Sequence, residues 1–373
     1  MKKIIFSAVV FLVLLFWPGI TAFAETEKDE NYDIFNTEEL ENSLSEETKK
    51  YLDDFSLKLE NGKFSSSLTP KQFILHITDF LKEGIKDQLK IFFLISGIIL
   101  AVAAADAFKK SGDQIAAAVL AGTLAIAAAG IGDVMSAASA AVSAIKAVSE
   151  FMFAFIPVFT AIVAVSGKTA TSAASGALLL GATQAVSAAC TYLILPIISG
   201  FSALFISSSF SPLTERSSLP VILKKAALWI LSLVSTLFLG ILGIQTVISS
   251  ASDTVGLKTA KFIVGTCVPV AGPALAEAAS TVAASVSLVR SSVGAYAIAA
   301  LVFTILPVLL QVAMLRGCFL LSIAVSETFA LPKMTSLLKA IDSVLSVLFA
   351  ILLLISGLFV IALGIVVNAG KSV

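Results

Sequence analysis

The segment from Val344 to Val367 constrains the fold most, because it contains no charged residue. About 20 apolar residues suffice for a helix to cross the hydrocarbon core of a bilayer. The chain is 58% hydrophobic and 13% charged, whereas a soluble domain is about 25% charged. We therefore predict an all-α fold, a polytopic membrane helical bundle of about six to eight spans. The other predicted spans are 91–108, 115–131, 151–165, 173–195, 226–249 and 293–315, with short segments at 134–148, 196–210 and 317–332 between them.

The first 24 residues have the pattern of a secretory signal peptide. Lys2 and Lys3 precede an apolar stretch at 4–16, and Ala22 and Ala24 form an A-x-A cleavage site. We predict cleavage after Ala24, which places the new N-terminus on the non-cytoplasmic side. An uncleaved anchor is the alternative. The predicted domains are the signal peptide 1–24, a small polar, partly helical ectodomain 25–90 and a multi-span membrane domain 91–373.

The polar segment after the signal is acidic. Residues 25–64 carry 13 acidic and 5 basic side chains. One helix is predicted over 38–59, with an apolar face at helical spacing formed by Leu40, Leu44, Tyr51, Leu52 and Phe55. A capping box is predicted at Ser43 and Glu46, and Asn61-Gly62 ends the helix. It is either a solvated helix resting on the membrane or the protein, or a helix that docks a partner. A second, amphipathic helix opens at Thr69-Pro70 and leads into the first span.

Residue types exclude several chemistries. His76 is the single histidine, and the three cysteines are widely spaced in apolar surroundings without a C-x-x-C pair. No basic cluster of the kind that binds nucleic acid is present. The G-K-T at 167–169 lacks the glycine that a phosphate-binding loop needs five positions earlier. We predict no cofactor, no metal site, no nucleic-acid partner and no enzymatic activity.

One segment, 258–294, differs from plain membrane helix. Two lysines lie one helical turn apart before a break rich in glycine and proline, and a helix with polar positions follows. Irregular backbone at membrane depth is tolerated only where protein or water covers it. We predict that this segment lines a pore or a subunit interface; an interfacial hairpin that caps the bundle is the alternative. The candidate lining residues are Lys258, Lys261, Gly265, Pro269, Gly272, Pro273 and Glu277.

The same segment resembles a known family. The sequences K-T-A-K-F at 258–262, P-V-A-G at 269–272 and S-L-V-R at 287–290 are similar to those of the stage III sporulation protein AE family. The order of parts agrees as well: a signal, a polar ectodomain, an amphipathic helix and a multi-span body that ends in N-A-G at 368–370.

The resemblance implies a role in endospore-forming bacteria. A member of this family is expected in the mother-cell membrane around the forespore, as a non-enzymatic subunit of the sporulation A–Q channel complex. Its expected partners are the other membrane proteins of the stage III sporulation A operon, the forespore channel partner and the lipid bilayer. Such a complex is needed for forespore development after engulfment. The alternative function is a stand-alone secondary transporter or permease with its site at 265–273.

Overall fold

The computed structural model describes residues 38–55, 57–60, 63–66, 70–107, 112–165, 169–194, 224–244 and 272–368, together with isolated positions between 196 and 222. For 272–291 and most of 70–83 it describes the backbone but not the side chains. The predicted cleavage site at Ala22 and Ala24 and the segment 258–271 lie outside the described residues.

The described chain is helical apart from one hairpin, which confirms the predicted all-α membrane bundle. The N-terminal unit, residues 38–66, consists of α1 (Glu38–Asn42), α2 (Glu46–Asp54), β1 (Leu57–Glu60) and β2 (Lys63–Ser66). The body consists of α3 (Pro70–Ala107), α4 (Gly112–Val165), α5 (Thr169–Ala188) with a π-helical turn (Ala189–Ile194), α6 (Lys224–Ile244), α7 (Gly272–Thr328) and α8 (Pro332–Asn368).

The prediction of one continuous helix over 38–59 is wrong. The helix is interrupted before Ser45, whose side chain accepts from the Thr48 backbone N–H, so Ser45 caps α2 and the predicted capping box at Ser43 does not form. Leu57 to Leu59, the last residues of the predicted helix, belong instead to strand β1. This strand pairs antiparallel with β2, so that Glu60 faces Lys63. Two residues of type Asn-Gly between such strands are a hairpin signal, so the prediction of a helix end at Asn61-Gly62 overlooks the strand pattern on either side.

The predicted apolar face of the N-terminal unit is nevertheless correct. Leu40, Leu44 and Leu52 are buried, as are Leu57 and Leu59 on one face of the hairpin. This face packs on α7 and α4. The unit is therefore attached to the membrane body of its own chain.

Helix α4 is longer than the sequence patterns predicted. The separate segments 115–131, 134–148 and 151–165 are one helix of 54 residues that passes through Pro157. A Cβ placed on Gly130 would lie 3.1 Å from the ring of Phe319 and 3.4 Å from Ile341. The glycine thus allows α4 to approach α7 and α8 closely, as small residues do between membrane helices.

Helices α7 and α8 form a long antiparallel hairpin. The turn is a Schellman motif, in which the Ala330 N–H donates to Glu327 and the Leu331 N–H donates to Ser326. Ala330 takes the left-handed conformation at φ 51°, and α8 begins at Pro332. The segment 317–332, predicted to be a separate apolar piece, is therefore the end of α7 and the turn itself.

The centre of the molecule is the middle of α7. From Val293 to Phe303 every residue is buried. A helix that is buried all round must be surrounded by other elements, and α3, α4, α8 and the N-terminal unit surround this one.

Five helices in the described part of the chain are long and apolar enough to cross a membrane. Their apolar portions are Gly84–Ala105, Ala117–Ala164, Lys224–Ile244, Ser292–Thr328 and Pro332–Gly364. A helix rises about 1.5 Å per residue, so 20 residues span a hydrocarbon core of about 30 Å. The portions in α4, α7 and α8 have 48, 37 and 33 residues, more than one perpendicular crossing requires.

Candidate functional site

The structure does not test the predicted lining of a pore or interface. Lys258, Lys261, Gly265 and Pro269 lie outside the described residues. Gly272 and Pro273 are the first two residues of α7, close to the predicted helix start. Glu277 follows within the same helix, where only the backbone is described. The helix continues without interruption into the apolar portion after Ser292. A lining role for these residues stays a prediction.

The described helices contain a different polar site, where α6, α7 and α8 meet. We call it the charged junction and define it by five residues: Lys224, Lys225, Arg316, Asp342 and Ser343. Its clearest feature is an ion pair between two long apolar helices. Arg316 donates from Nε to Oδ1 of Asp342 at 2.9 Å, and the side chains are 31% and 18% exposed. Ionisable residues within membrane segments are functional candidates by default.

Helix α6 joins the junction at its first turns. Lys224 donates from Nζ to the Ser343 hydroxyl at 2.8 Å. Ser343 directly follows Asp342, so the lysine and the arginine reach α8 at consecutive residues. Lys225 is exposed. The described residues of the junction therefore carry three cations and one carboxylate, of which Arg316 and Asp342 are in direct contact.

A contact between α3 and α7 shows where the charged junction lies along the bundle axis. A Cβ placed on Gly84 would lie 2.5 Å from the Met314 methyl. The beginning of the apolar portion of α3 is thus level with the junction, which lies just beyond Met314. Lys86, Asp87 and Lys90 follow Gly84 on α3 and are exposed. Charged side chains on α3, α6, α7 and α8 consequently lie at about the same height along the bundle axis.

A second polar cluster lies at the α7–α8 turn and is uncharged. The hydroxyls of Ser326 and Thr335 are 2.9 Å apart, and both also contact the Leu331 carbonyl. Both side chains are buried. These bonds use the hydroxyl groups within the hairpin, so the cluster holds the turn together.

The arrangement can join helices and present positive charge. The described residues contain no group of three or more His, Cys, Asp or Glu side chains positioned to hold a metal ion. Arg316 directly follows the predicted span 293–315, but nothing in the sequence pattern assigns a partner to it or a role to Asp342. The available signal was an arginine and an aspartate at the inner ends of two apolar stretches that a short turn connects.

Together, the five apolar helices and the charged contacts between them define an integral membrane helical bundle. The profile of the stage III sporulation protein AE family matches residues 48–370. The chain belongs to this family and is a sporulation-related membrane protein.

A curated relative agrees with this assignment. The chain is 26% identical over 231 residues to the stage III sporulation protein AE of Bacillus subtilis (strain 168). The match covers 62% of this chain and 58% of the relative. No solved structure gives a significant match.

Proposed function

We propose that the chain is a non-enzymatic membrane subunit of a channel-like complex between mother cell and forespore. The observation that carries the proposal is the family match over residues 48–370. The described polar contacts support a structural role, because they join helices to one another. Arg316 and Asp342 connect α7 to α8, and Lys224 and Ser343 connect α6 to α8.

We further propose a location and partners. The chain resides in the mother-cell membrane around the forespore, with its N-terminal unit on the non-cytoplasmic side. It assembles there with the other membrane proteins of the stage III sporulation A operon and the forespore channel partner. The exposed charges of α2, among them Glu47, Lys50 and Asp53, favour an aqueous location for the outer surface of this unit.

Deletion of the gene in its own host tests the function. We expect vegetative growth to continue and sporulation to stop after engulfment, and the wild-type gene to restore spores. Formation of normal spores by the deletion strain would contradict the proposal.

A second experiment separates a subunit from a stand-alone transporter. A tagged chain is purified from sporulating cells in mild detergent, and the co-purifying proteins are identified. A subunit is expected to bring down products of its own operon. Isolation of the chain alone, with transport activity in vesicles, would favour the transporter.

A further inference from the structure

We propose that the charged junction binds the phosphate headgroup of an anionic phospholipid. The inference goes beyond the proposed function and does not depend on it. It begins from the local charge, since Arg316 pairs with Asp342, Lys224 bonds the adjacent Ser343 and Lys225 follows at the surface, which makes three cations to one carboxylate among the described residues of the junction.

The junction retains hydrogen-bond donors. Arg316 uses Nε for Asp342, and within the described part of the chain its two Nη nitrogens make no hydrogen bond. Lys224 makes one hydrogen bond, to the Ser343 hydroxyl, although an ammonium group has three donors. Neither Lys224 nor Lys225 has a carboxylate within ion-pair distance among the described residues. A phosphate group offers several acceptor oxygens for charge-assisted bonds to such donors.

The surface next to the junction favours a lipid over a free phosphate. Lys225, Trp229 and Leu233 are four residues apart, so they form one stripe along α6. Trp229 is 67% exposed and Leu233 is 44% exposed. The apolar portion of α6 begins at Lys224. Lysine followed one turn later by tryptophan is typical of the headgroup level of a membrane helix.

The stripe therefore matches both parts of a phospholipid. The headgroup phosphate contacts the cations at the start of α6, and an acyl chain lies along Trp229 and Leu233. Basic pockets between membrane helices take anionic headgroups in this way. A zwitterionic lipid adds a positive charge beside the same cations, so we expect the junction to select against it.

Trp229 provides a direct probe. The chain has two tryptophans, and Trp17 lies within the predicted signal peptide, so a Trp17→Phe background leaves Trp229 as the only one whether or not the signal is removed. The full chain is reconstituted in vesicles with lipids brominated on their acyl chains, which quench tryptophan fluorescence on contact. We expect brominated phosphatidylglycerol to be preferred over brominated phosphatidylcholine at Trp229 by about fivefold, as one basic contact at a membrane surface provides. Equal quenching by both lipids would overturn the proposal.

Variants identify the residues responsible. Lys225→Glu changes an exposed side chain and should remove the preference, whereas Lys225→Arg should keep it. Lys224→Met, which retains the aliphatic stem, should reduce it. Lys333→Ala, an exposed lysine at the start of α8, serves as the matched control and should leave it unchanged. An unchanged preference in Lys225→Glu would contradict the site, as would an equal loss in Lys333→Ala.

An excess of inorganic phosphate distinguishes the two sources of the anion. A lipid held by headgroup and acyl chain should keep its preference, because free phosphate contacts only the cations. Loss of the preference in phosphate, but not in chloride of equal ionic strength, would overturn the lipid assignment in favour of a soluble anion.

Discussion

Thr48 of α2 and Thr304 of α7, which are 256 residues apart in the chain, share a hydroxyl–hydroxyl hydrogen bond of 3.1 Å. A second hydrogen bond of the Thr304 hydroxyl determines which of the two threonines is the donor. The Thr304 hydroxyl donates to the Ala300 carbonyl, so it accepts from Thr48. The bond lies beside a ring contact between Phe55 and Phe303, whose centroids are 4.4 Å apart. These two contacts attach the N-terminal unit to the centre of the bundle.

Substitution of Thr304 by valine should loosen this attachment. Thr48 is 2% exposed, and without Thr304 its hydroxyl keeps only the Ser45 hydroxyl, 2.8 Å away, so the loss is that of one hydrogen bond, about 0.5–1.5 kcal/mol. We expect a lower free energy of unfolding in detergent and faster proteolysis of the N-terminal unit. The double variant Thr48→Val/Thr304→Val should cost less than the two single variants together, because each single variant already breaks the bond that the two residues share. A double variant with the summed loss of both single variants would contradict this account.

Neutralising Asp342 should destabilise the α7–α8 hairpin. Asp342→Asn leaves the partly buried Arg316 guanidinium without its counter-charge. We expect a loss of about 2 kcal/mol, less than for a fully buried pair because both side chains keep some exposure. The measurement is unfolding by SDS titration in mixed micelles.

The exposed pair in the same hairpin is the matched control. Lys339 and Glu327 are 2.7 Å apart, and their side chains are 58% and 52% exposed. Exposed pairs contribute little, so Glu327→Gln should cost less than about 0.5 kcal/mol. Equal effects of the two carboxylate substitutions would show that burial does not strengthen the Arg316 pair.

Replacing Ala330 by glycine should stabilise the protein. The left-handed conformation at this position costs a residue with a Cβ about 1–2 kcal/mol, and glycine avoids that cost. We expect a net gain of about 0.5–1 kcal/mol after the larger loss of chain entropy by glycine. The same substitution at Ala324, inside α7, should instead cost about 1 kcal/mol. Thermal unfolding followed by circular dichroism compares the two, and equal signs would contradict the role of the turn.

Close packing at Gly122 gives a test of the α3–α4 contact. A Cβ at this position would meet the Met334 methyl and would lie 2.5 Å from Cγ2 of Val102. Met334 can move, but the β-branched Val102 is stiff. Gly122→Ala should therefore cost about 1–3 kcal/mol by overpacking.

Gly132 in the same helix is the matched control, because a Cβ there meets nothing within 4 Å. Gly132→Ala should stabilise α4 by about 0.5–1 kcal/mol through its higher helix propensity. The difference between the two variants, measured by the same SDS titration, isolates the packing term. Indistinguishable variants would place α3 further from α4 than the structure does.

A residue pattern in the sequence predicts structure well where the feature depends on neighbouring residues, and poorly where it depends on contacts between distant segments. Apolar periodicity identified the membrane helices and the buried leucines of the N-terminal unit, because burial in one direction is a local property. Glycine occurs both at helix ends and in hairpin turns, so its position alone did not distinguish the two. Asn61-Gly62 indicated a helix end in a chain where helices dominate, although Leu57 and Leu59 alternate as in a strand. The close approach of Gly130 to Phe319 is a contact between distant segments, which periodicity within one segment does not record.

The charged junction could not be predicted for a different reason. Arg316 and Asp342 lie just outside the predicted spans 293–315 and 344–367, and their pairing depends on the register of the α7–α8 hairpin. That register is set by the Schellman turn at Ala330, a position where the sequence does not show the glycine that usually marks such a turn. Because 317–332 is the end of α7 and the turn, Arg316 and Asp342 lie opposite each other on the two helices of the hairpin.

The uninterrupted length of α7 has a mechanical consequence. Its 57 residues make a rod of about 85 Å, held near Arg316 by the junction and near Phe303 by the N-terminal unit. If the rod pivots about Arg316 by about 10°, its Gly272 end sweeps through about 11 Å, given a lever arm of about 66 Å. Such a pivot would carry 293–303, where α7 is buried on every side, against its neighbours, so any movement of this helix has to involve the elements packed around it.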